Sequence, residues 1–189
     1  PRTVGVISHR EDLYRVTREN MQIVRFTDAA GNEELATLSP DGKQLAYVRG
    51  HDLFVSSGPP SGERRLTNDG SALLRNGKAD WVYYEEIYNR NWHAFKWSPD
   101  SKRIAFQQFN DAGLDEVTIV NHLTTRLETE SSHYPKAGRP NPKVRLGVVE
   151  SDGGPVRWIA LDEYSPDQML LSHFDWLPSG NAVYMYVQD

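Results

Sequence analysis

Two adjacent carboxylates, Glu85 and Glu86, stand among large aromatic residues and are the residues of this chain best suited to hold a cation. They lie in the run D-W-V-Y-Y-E-E-I-Y at 80–88. Aromatic rings around a carboxylate exclude water and strengthen its attraction to an arginine, a lysine, a metal ion or a ligand ammonium. The alternative is that the pair points into solvent from a helical turn, as most such dipeptides do. The two interpretations differ in whether the aromatic rings enclose the pair.

The neighbours of the glutamate pair have structural roles open to them. Asp80 precedes a helical turn, where an aspartate accepts hydrogen bonds from free backbone amides, and we favour this capping role over ligand contact. Tyr84 is a candidate for the lining of the cation site, whereas core packing is the simpler expectation for Tyr83. Trp97 recurs as Trp176 ahead of a similar turn, which indicates packing rather than function.

Other residues with catalytic or metal-binding chemistry are scattered along the chain. The six histidines show neither H-E-x-x-H nor paired metal-ligand spacing, so each is expected to be a surface or structural residue. They are His9, His51, His93, His122, His133 and His173. The chain has no cysteine, which excludes disulfides and thiolate metal sites, and no glycine-rich phosphate loop. The sequence therefore predicts neither a metal ion nor a cofactor.

The composition is that of a globular protein, with 38% hydrophobic and 25% charged residues. The 5 Trp, 9 Tyr and 6 Phe favour β-structure, because aromatic side chains fit a pleated surface. The net charge is -5 and there is no basic block, so nucleic acid is not an expected partner. No apolar run approaches the roughly 20 residues that span a bilayer.

A turn followed by a short apolar strand occurs three times. The copies are S-P-D-G-K-Q-L-A-Y-V at 39–48, S-P-D-S-K-R-I-A-F at 98–106 and L-P-S-G-N-A-V-Y-M at 177–185. Proline presets φ, aspartate or serine caps the turn, and glycine tolerates positive φ. Hairpins that repeat at intervals of tens of residues are typical of stacked β-propeller blades. We therefore predict an all-β fold, a partial β-propeller of roughly three four-stranded antiparallel blades with one short helical insertion at 81–88.

Three ordered motifs resemble the propeller domain of the dipeptidyl peptidase IV family, within the prolyl oligopeptidase superfamily. They are D-W-V-Y-x-E-E-[IV]-[YF] at 80–88 with W-S-P-[DN]-[SG] at 97–101, A-[YF]-x-Q-F-N-D at 105–111, and Y-P-K-A-G-x-x-N-P-x-V at 134–144. A weaker resemblance extends over nearly the whole chain. It implies that the chain is the substrate-recognition portion of a serine dipeptidyl peptidase, an exopeptidase that releases N-terminal dipeptides.

The resemblance also implies roles for individual residues. In the family two adjacent glutamates grip the free N-terminal ammonium of the peptide substrate, and they correspond to Glu85 and Glu86. The family uses in addition an arginine from the preceding blade. Its position falls near residues 3–4, where no arginine stands, and Arg2 is our candidate, since Arg10 would need a different register.

The same resemblance implies that residues 1–189 are part of an N-terminal β-propeller and that the catalytic domain is absent. The family carries its Ser-His-Asp triad on a C-terminal α/β-hydrolase domain, and this chain has no G-x-S-x-G sequence. We expect the parent protein to be the enzyme and this chain alone to be inactive. The parent is expected to be secreted, periplasmic or associated with the cell envelope, although this segment by itself does not reveal its location.

The segment 117–134 departs from blade spacing, and the family has an arm in this region that reaches a second subunit. A plain surface hairpin is an equally weighted alternative. The arm and the open blade edges predict self-association as a homodimer. The other expected partners are a peptide with a free N-terminus and the hydrolase domain of the same parent chain. Two alternatives to the enzymatic function are a non-catalytic propeller that serves as a protein-binding scaffold, and a likeness of blade architecture alone.

Overall fold

The computed structural model describes residues 4–59 and 62–189, and strands dominate it. The described strands are β1 (Val4–His9), β2 (Asp12–Thr17), β3 (Gln22–Arg25), β4 (Glu34–Leu38), β5 (Leu45–Arg49), β6 (Asp52–Ser56), β7 (Glu63–Arg65), β8 (Leu74–Asn76), β9 (Phe95–Trp97), β10 (Arg103–Asn110), β11 (Glu116–Asn121), β12 (Glu128–His133), β13 (Lys143–Glu150), β14 (Arg157–Trp158), β15 (Leu170–Trp176) and β16 (Val183–Gln188). One helical segment, Tyr83–Ile87, lies between β8 and β9. None of the described helical residues forms a helix long and apolar enough to cross a membrane.

The strands pair antiparallel in chain order, so that successive stretches of sequence form successive sheets. The first sheet is β1-β2-β3, the second is β4-β5-β6-β7, the third holds β8, β9, β10, β13 and β14, and the fourth is the hairpin β15-β16. This arrangement confirms the predicted all-β partial propeller. The four-strand count is met by the second sheet, whereas the third sheet has five strands.

The fifth strand of the third sheet has a physical cause. The strands β8 and β9 pair with different halves of the same neighbour, β10: Asn76 lies opposite Gln108, and Phe95 lies opposite Phe106. The helical insertion separates β8 from β9 in sequence. The edge position that one strand would fill is therefore shared by two short strands, and the insertion emerges between them.

The repeated turns share one set of hydrogen bonds. In the first copy the Ser39 hydroxyl donates to Asp41 Oδ1 (2.7 Å) and accepts from the backbone amide five residues later (3.0 Å). In the second copy the Ser98 hydroxyl donates to Asp100 Oδ1 (2.5 Å) and accepts from the equivalent amide (2.9 Å). The third copy has Leu177 at the serine position, so it lacks the serine bonds and keeps the backbone bonds of the turn. Each turn connects two paired strands of one sheet: β4 to β5, β9 to β10, and β15 to β16.

The core lies between neighbouring sheets, as expected for blades that stack face to face. One cluster of buried residues joins the first sheet to the second, another joins the second to the third, and a further one joins the third to the fourth. Buried members of these clusters are, in that order, Leu13 with Tyr47, Val48 with Phe95, and Phe109 with Leu171.

Two tryptophans repeat the same contact at successive sheet interfaces. The indole of Trp97 donates to the Thr37 carbonyl of the preceding sheet at 3.1 Å. The indole of Trp176 donates to the Lys96 carbonyl at 3.0 Å, one sheet later. Both rings are buried. The equivalence confirms that the recurring tryptophan is a packing residue.

The strands β11 and β12 form a separate hairpin that pairs with neither β10 nor β13, the strands that flank it in sequence. This confirms that the segment departs from blade spacing. The tip of the hairpin exposes large apolar residues, with Leu123 97% and Leu127 79% accessible. Association of two chains through this hairpin or through open sheet edges remains a prediction.

Candidate functional site

Asp80 sets the start of the helical insertion. Its carboxylate Oδ1 accepts the Tyr83 amide hydrogen at 3.0 Å, and its backbone carbonyl accepts from the Tyr84 amide at 3.0 Å. The turn that begins at Trp81 continues with π-type bonding, because the Tyr88 amide donates to the Tyr83 carbonyl five residues back at 2.7 Å. The predicted capping role of Asp80 is confirmed.

Two tyrosines fasten the helical segment to the sheets beneath it. The Tyr83 hydroxyl accepts the Leu171 amide hydrogen at 2.9 Å, and its ring packs edge-on against Phe109 with 4.9 Å between ring centroids. The Tyr88 hydroxyl donates to the side-chain carbonyl of Gln107, whose own amide donates to the Leu171 carbonyl at 2.8 Å. The segment is thereby held on both the third and the fourth sheets, and Tyr83 is a core residue as expected.

Tyr84 lies on a different side of the segment and stacks on Trp92. Their rings are nearly parallel, with an interplanar angle of 11° and centroids 3.8 Å apart. The ammonium of Lys78 lies 5.5 Å from the Trp92 centroid and pairs with Glu34. Tyr84 is therefore fixed by stacking beside the glutamate pair, and its contact with a ligand remains a prediction.

The glutamate pair faces outward rather than into an aromatic enclosure. Glu85 is half-buried, with 27% of its side chain accessible, and Glu86 is exposed. The expectation that the rings exclude water from the pair is therefore wrong for the described residues. The reason is local: Tyr83 lies in the core, Tyr88 packs against it and Tyr84 stacks on Trp92, so these rings are engaged with other residues.

Arg90 is the partner of Glu85, and it was not among the candidates from the sequence. Glu85 Oε1 accepts from Arg90 Nε at 3.1 Å and from Arg90 Nη2 at 2.9 Å. Within the described ranges Glu86 has no hydrogen-bond or ion-pair partner. Arg90 lies beyond the end of the helical segment, and the positive φ of Asn89 and Arg90 turns the chain back towards Glu85. Asn89, a residue type enriched at positive φ, was the available signal in the sequence.

The candidate arginine of the substrate site, Arg2, lies outside the described residues. The alternative, Arg10, occupies the two-residue turn between β1 and β2 with a positive φ of 51°. A residue at this turn belongs to the hairpin connection. The identity of the substrate-binding arginine is therefore not decided by the described part of the chain.

Two buried carboxylates, Asp80 and Asp111, lie near one another in the core around the helical insertion. Burial, together with the nearby Asp111 carboxylate, raises the pKa of Asp80 to about 7. Burial also raises the pKa of Asp111, against the opposing effect of its ion-pair partner Arg75. Asp80 Oδ2 and Asp111 Oδ1 are both buried without a hydrogen-bond partner. Asp111 was not a candidate from the sequence, where it appeared only as the last residue of the motif at 105–111.

The other features with possible binding or catalytic chemistry, two surface cavities and His93, are separate from the glutamate pair. Two open surface cavities, of about 570 and about 660 Å³, are lined around Arg145 with Trp158 and around His51 with Lys78, and neither is lined by the glutamate pair. Burial lowers the pKa of His93 to about 4, which makes it a neutral structural histidine bonded to the Thr37 hydroxyl at 3.0 Å. Across residues 4–59 and 62–189 no three acidic or histidine side chains gather as a metal site.

Comparisons with known proteins agree with the motifs. The family model for the dipeptidyl peptidase IV (DPP IV) N-terminal region matches residues 7–189. The chain is 32% identical over 163 residues to a probable dipeptidyl peptidase 4 of Neosartorya fischeri, covering 82% of this chain and 21% of that one. It is 35% identical over 145 residues to dipeptidyl peptidase 4 of Felis catus, covering 75% of this chain and 19% of the other.

The fold has a solved counterpart. The crystal structure of Porphyromonas gingivalis dipeptidyl peptidase 4 matches with a TM-score of 0.79 at 22% identity, over 97% of this chain and 26% of that chain. At this identity the likeness shows the fold alone. The chain spans about a fifth of the length of the two relatives named above.

Proposed function

The chain belongs to the dipeptidyl peptidase IV N-terminal family, and on that premise we propose that it is the substrate-recognition portion of a serine dipeptidyl peptidase. Its role is to bind the free N-terminal ammonium of a peptide through Glu85 and Glu86. The relatives that match it carry the name dipeptidyl peptidase 4. One observation supports the assignment of ammonium binding to Glu85 and Glu86: both face outward from a helical segment that is held on two sheets.

The carboxylate oxygens left free on this segment suit an ammonium group. An ammonium has three N–H donors, and Arg90 uses only Oε1 of Glu85. Glu85 Oε2 and the two oxygens of Glu86 provide three acceptors. Charge-assisted hydrogen bonds of this kind are roughly twice as strong as neutral ones.

A rigid support matters as much as the charge. An exopeptidase that removes dipeptides has to count residues from the amino terminus, so the anchor must lie at a fixed distance from the nucleophile. Tyr83 and Tyr88 bind the segment to buried positions on β10 and β15, which holds the glutamates in place. Blocking the amino terminus would remove the charge that the anchor recognises.

Because Glu86 is exposed, the helical segment by itself should bind an ammonium group only weakly. Charge pairs in water are weak, whereas the same pair in a water-excluded site is several times stronger. In the proposed enzyme, the hydrolase domain of the parent chain supplies the nucleophile and covers the pair. The peptide is then held between the two domains with its ammonium on the propeller side.

The test replaces each glutamate with glutamine in the full-length protein that carries this segment. Glu85→Gln and Glu86→Gln keep the shape and remove one charge. The ratio of kcat/KM values for free-amine dipeptide amides should therefore show a loss of transition-state stabilisation on the order of 1.5–3 kcal/mol, the value of a hydrogen bond to a charged group. Substrates with an acetylated terminus should be poor for the unmodified enzyme and barely affected by either substitution.

Glu19→Gln, at the exposed turn between β2 and β3, is the matched control and should leave kcat/KM unchanged. If both clamp variants cleave free-amine substrates at the unmodified rate, the pair is surface charge and the proposal fails.

A further inference from the structure

Arg90 places a fixed positive charge inside the proposed ammonium clamp, and the inference drawn from it rests on the proposed function. Both of its hydrogen bonds go to one oxygen, Oε1 of Glu85, at 2.9 and 3.1 Å. The other oxygen of Glu85 and the whole of Glu86 stay free. Arg90 thus contributes its charge to the site without filling the acceptors that an ammonium would use.

The backbone directs Arg90 back over the helical segment. Asn89 and Arg90 both have positive φ, 51° and 63°, a region that side-chain-bearing residues seldom adopt. The Arg90 amide donates to the Tyr84 carbonyl at 2.7 Å, which ties this reversal to the segment itself. The side chain is 73% accessible. Its position is set by the local backbone and by Glu85, rather than by burial.

The charges at the site decide what it should bind. Two carboxylates and one guanidinium leave a single negative charge, which one ammonium neutralises. Lys78, which lies against Trp92, is paired with Glu34 and does not change this count. We propose that Arg90 is a specificity-determining residue, which matches the clamp to peptides whose only charge at the first residue is the ammonium and disfavours lysine or arginine there.

The discrimination follows from distance. A lysine side chain at the first position is attached to the same Cα as the ammonium, so its charge lies well within the screening length of about 10 Å at 0.1 M salt. Repulsion by the guanidinium opposes binding of this second charge. Without Arg90 the clamp would hold two uncompensated negative charges and would favour such dicationic termini.

The experiment measures a ratio of kcat/KM values in the full-length protein: a lysine-first dipeptide amide over the otherwise identical methionine-first one. Because the ratio is taken within one enzyme preparation, it does not depend on the folded fraction. Arg90→Gln should raise the ratio about two- to five-fold at low ionic strength, as expected for removal of one partly screened charge. The increase should shrink in 0.5 M salt.

Two control variants distinguish the effect of the Arg90 charge from effects of side-chain shape and from effects of a positive charge elsewhere on the surface. Arg90→Lys keeps the charge and should retain the unmodified ratio. Lys102→Gln removes an exposed positive charge at the opposite end of β10 from the helical segment and should leave the ratio unchanged.

The outcomes distinguish this inference from the proposed function. If Glu86→Gln lowers kcat/KM for the methionine substrate while Arg90→Gln leaves the ratio unchanged, the clamp stands and the role of Arg90 is refuted. If neither substitution has any effect, the clamp itself fails and the inference falls with it.

Discussion

The repeated turns and the helical insertion differ in the range of their side-chain hydrogen bonds. In the turns at 39–44 and 98–103, Ser39 and Ser98 each bond to an aspartate and an amide within five residues, and these bonds match in the two copies. In the insertion, Tyr83 and Tyr88 bond to residues 88 and 19 positions away, and the two glutamates keep oxygens free.

This difference indicates which polar residues of the fold serve structure and which are available for function. A turn whose defining hydrogen bonds are local can recur in successive sheets, because those bonds do not depend on distant residues. The insertion depends on two sheets for its support and directs outward two carboxylates, of which Glu85 is paired through one oxygen with Arg90. Residues that keep free hydrogen-bonding capacity on a rigid support are those available for recognition.

The largest expected effect contrasts two aspartates, one from each region. The pKa of Asp80 is raised from 3.8 to about 7, so between these values the folded chain holds a proton that the unfolded chain has released. Asp80 therefore stabilises the fold at low pH, and this contribution falls as pH rises towards 7. Asp80→Asn removes the titration, so its stability relative to the unmodified chain should improve by up to about 4 kcal/mol from pH 4 to pH 8.

Denaturant unfolding of both chains at several pH values measures this change, and an equal difference at pH 4 and pH 8 would contradict it. Asp41 in the first turn should show the opposite sign. The Ser39 hydroxyl lowers the pKa of Asp41, so its contribution is present above pH 3.8 and is lost as pH falls. Asp41→Asn should therefore be more harmful at pH 8 than at pH 3.

The second effect tests the long-range support of the insertion. Tyr83→Phe leaves the buried Leu171 amide without its acceptor and should lower the free energy of unfolding by about 1–3 kcal/mol. Tyr84→Phe is the matched control, because the Tyr84 hydroxyl makes no hydrogen bond in the described part of the chain, and it should cost less than about 0.5 kcal/mol. Equal losses in the two variants would show that the hydroxyl bond does not anchor the segment.

The smallest effect tests the equivalence of the turns. Ser39 and Ser98 are both buried and make the same pair of bonds, so replacing either with alanine should cost about 1 kcal/mol of unfolding free energy. Thermal or denaturant unfolding of the two variants gives the comparison. Losses that differ several-fold would mean that the copies are alike in sequence but not in energetics.

The sequence predicted the blades because their signals are local. Turn residues such as those at 39–42 and 98–101 fix the strand starts, and alternating apolar residues fix the buried face. The division of the third sheet into five strands was not predictable, because it depends on β8 and β9 sharing β10 after a chain insertion. Sequence spacing alone does not show that two separated strands meet one neighbour.

For the candidate site, the sequence located the glutamates and the cap but not their surroundings. The aromatic residues at 83, 84 and 88 suggested an enclosure, yet which way a ring turns depends on the helix type and on distant partners such as Leu171. The pairing of Arg90 with Glu85 depends on the chain reversal at Asn89 and Arg90, which the sequence analysis did not predict. Arg2 and the role of the exposed hairpin stay predictions.

One paired measurement tests the division between the two regions most directly: kcat/KM on a free-amine dipeptide amide and the free energy of unfolding, for Glu86→Gln and Ser98→Ala in the full-length protein. We expect Glu86→Gln to lower kcat/KM by about 10- to 150-fold with unfolding unchanged within about 0.5 kcal/mol. Ser98→Ala should lower the unfolding free energy and leave kcat/KM per active enzyme unchanged. A Glu86→Gln enzyme that cleaves free-amine substrates at the unmodified rate would contradict the account.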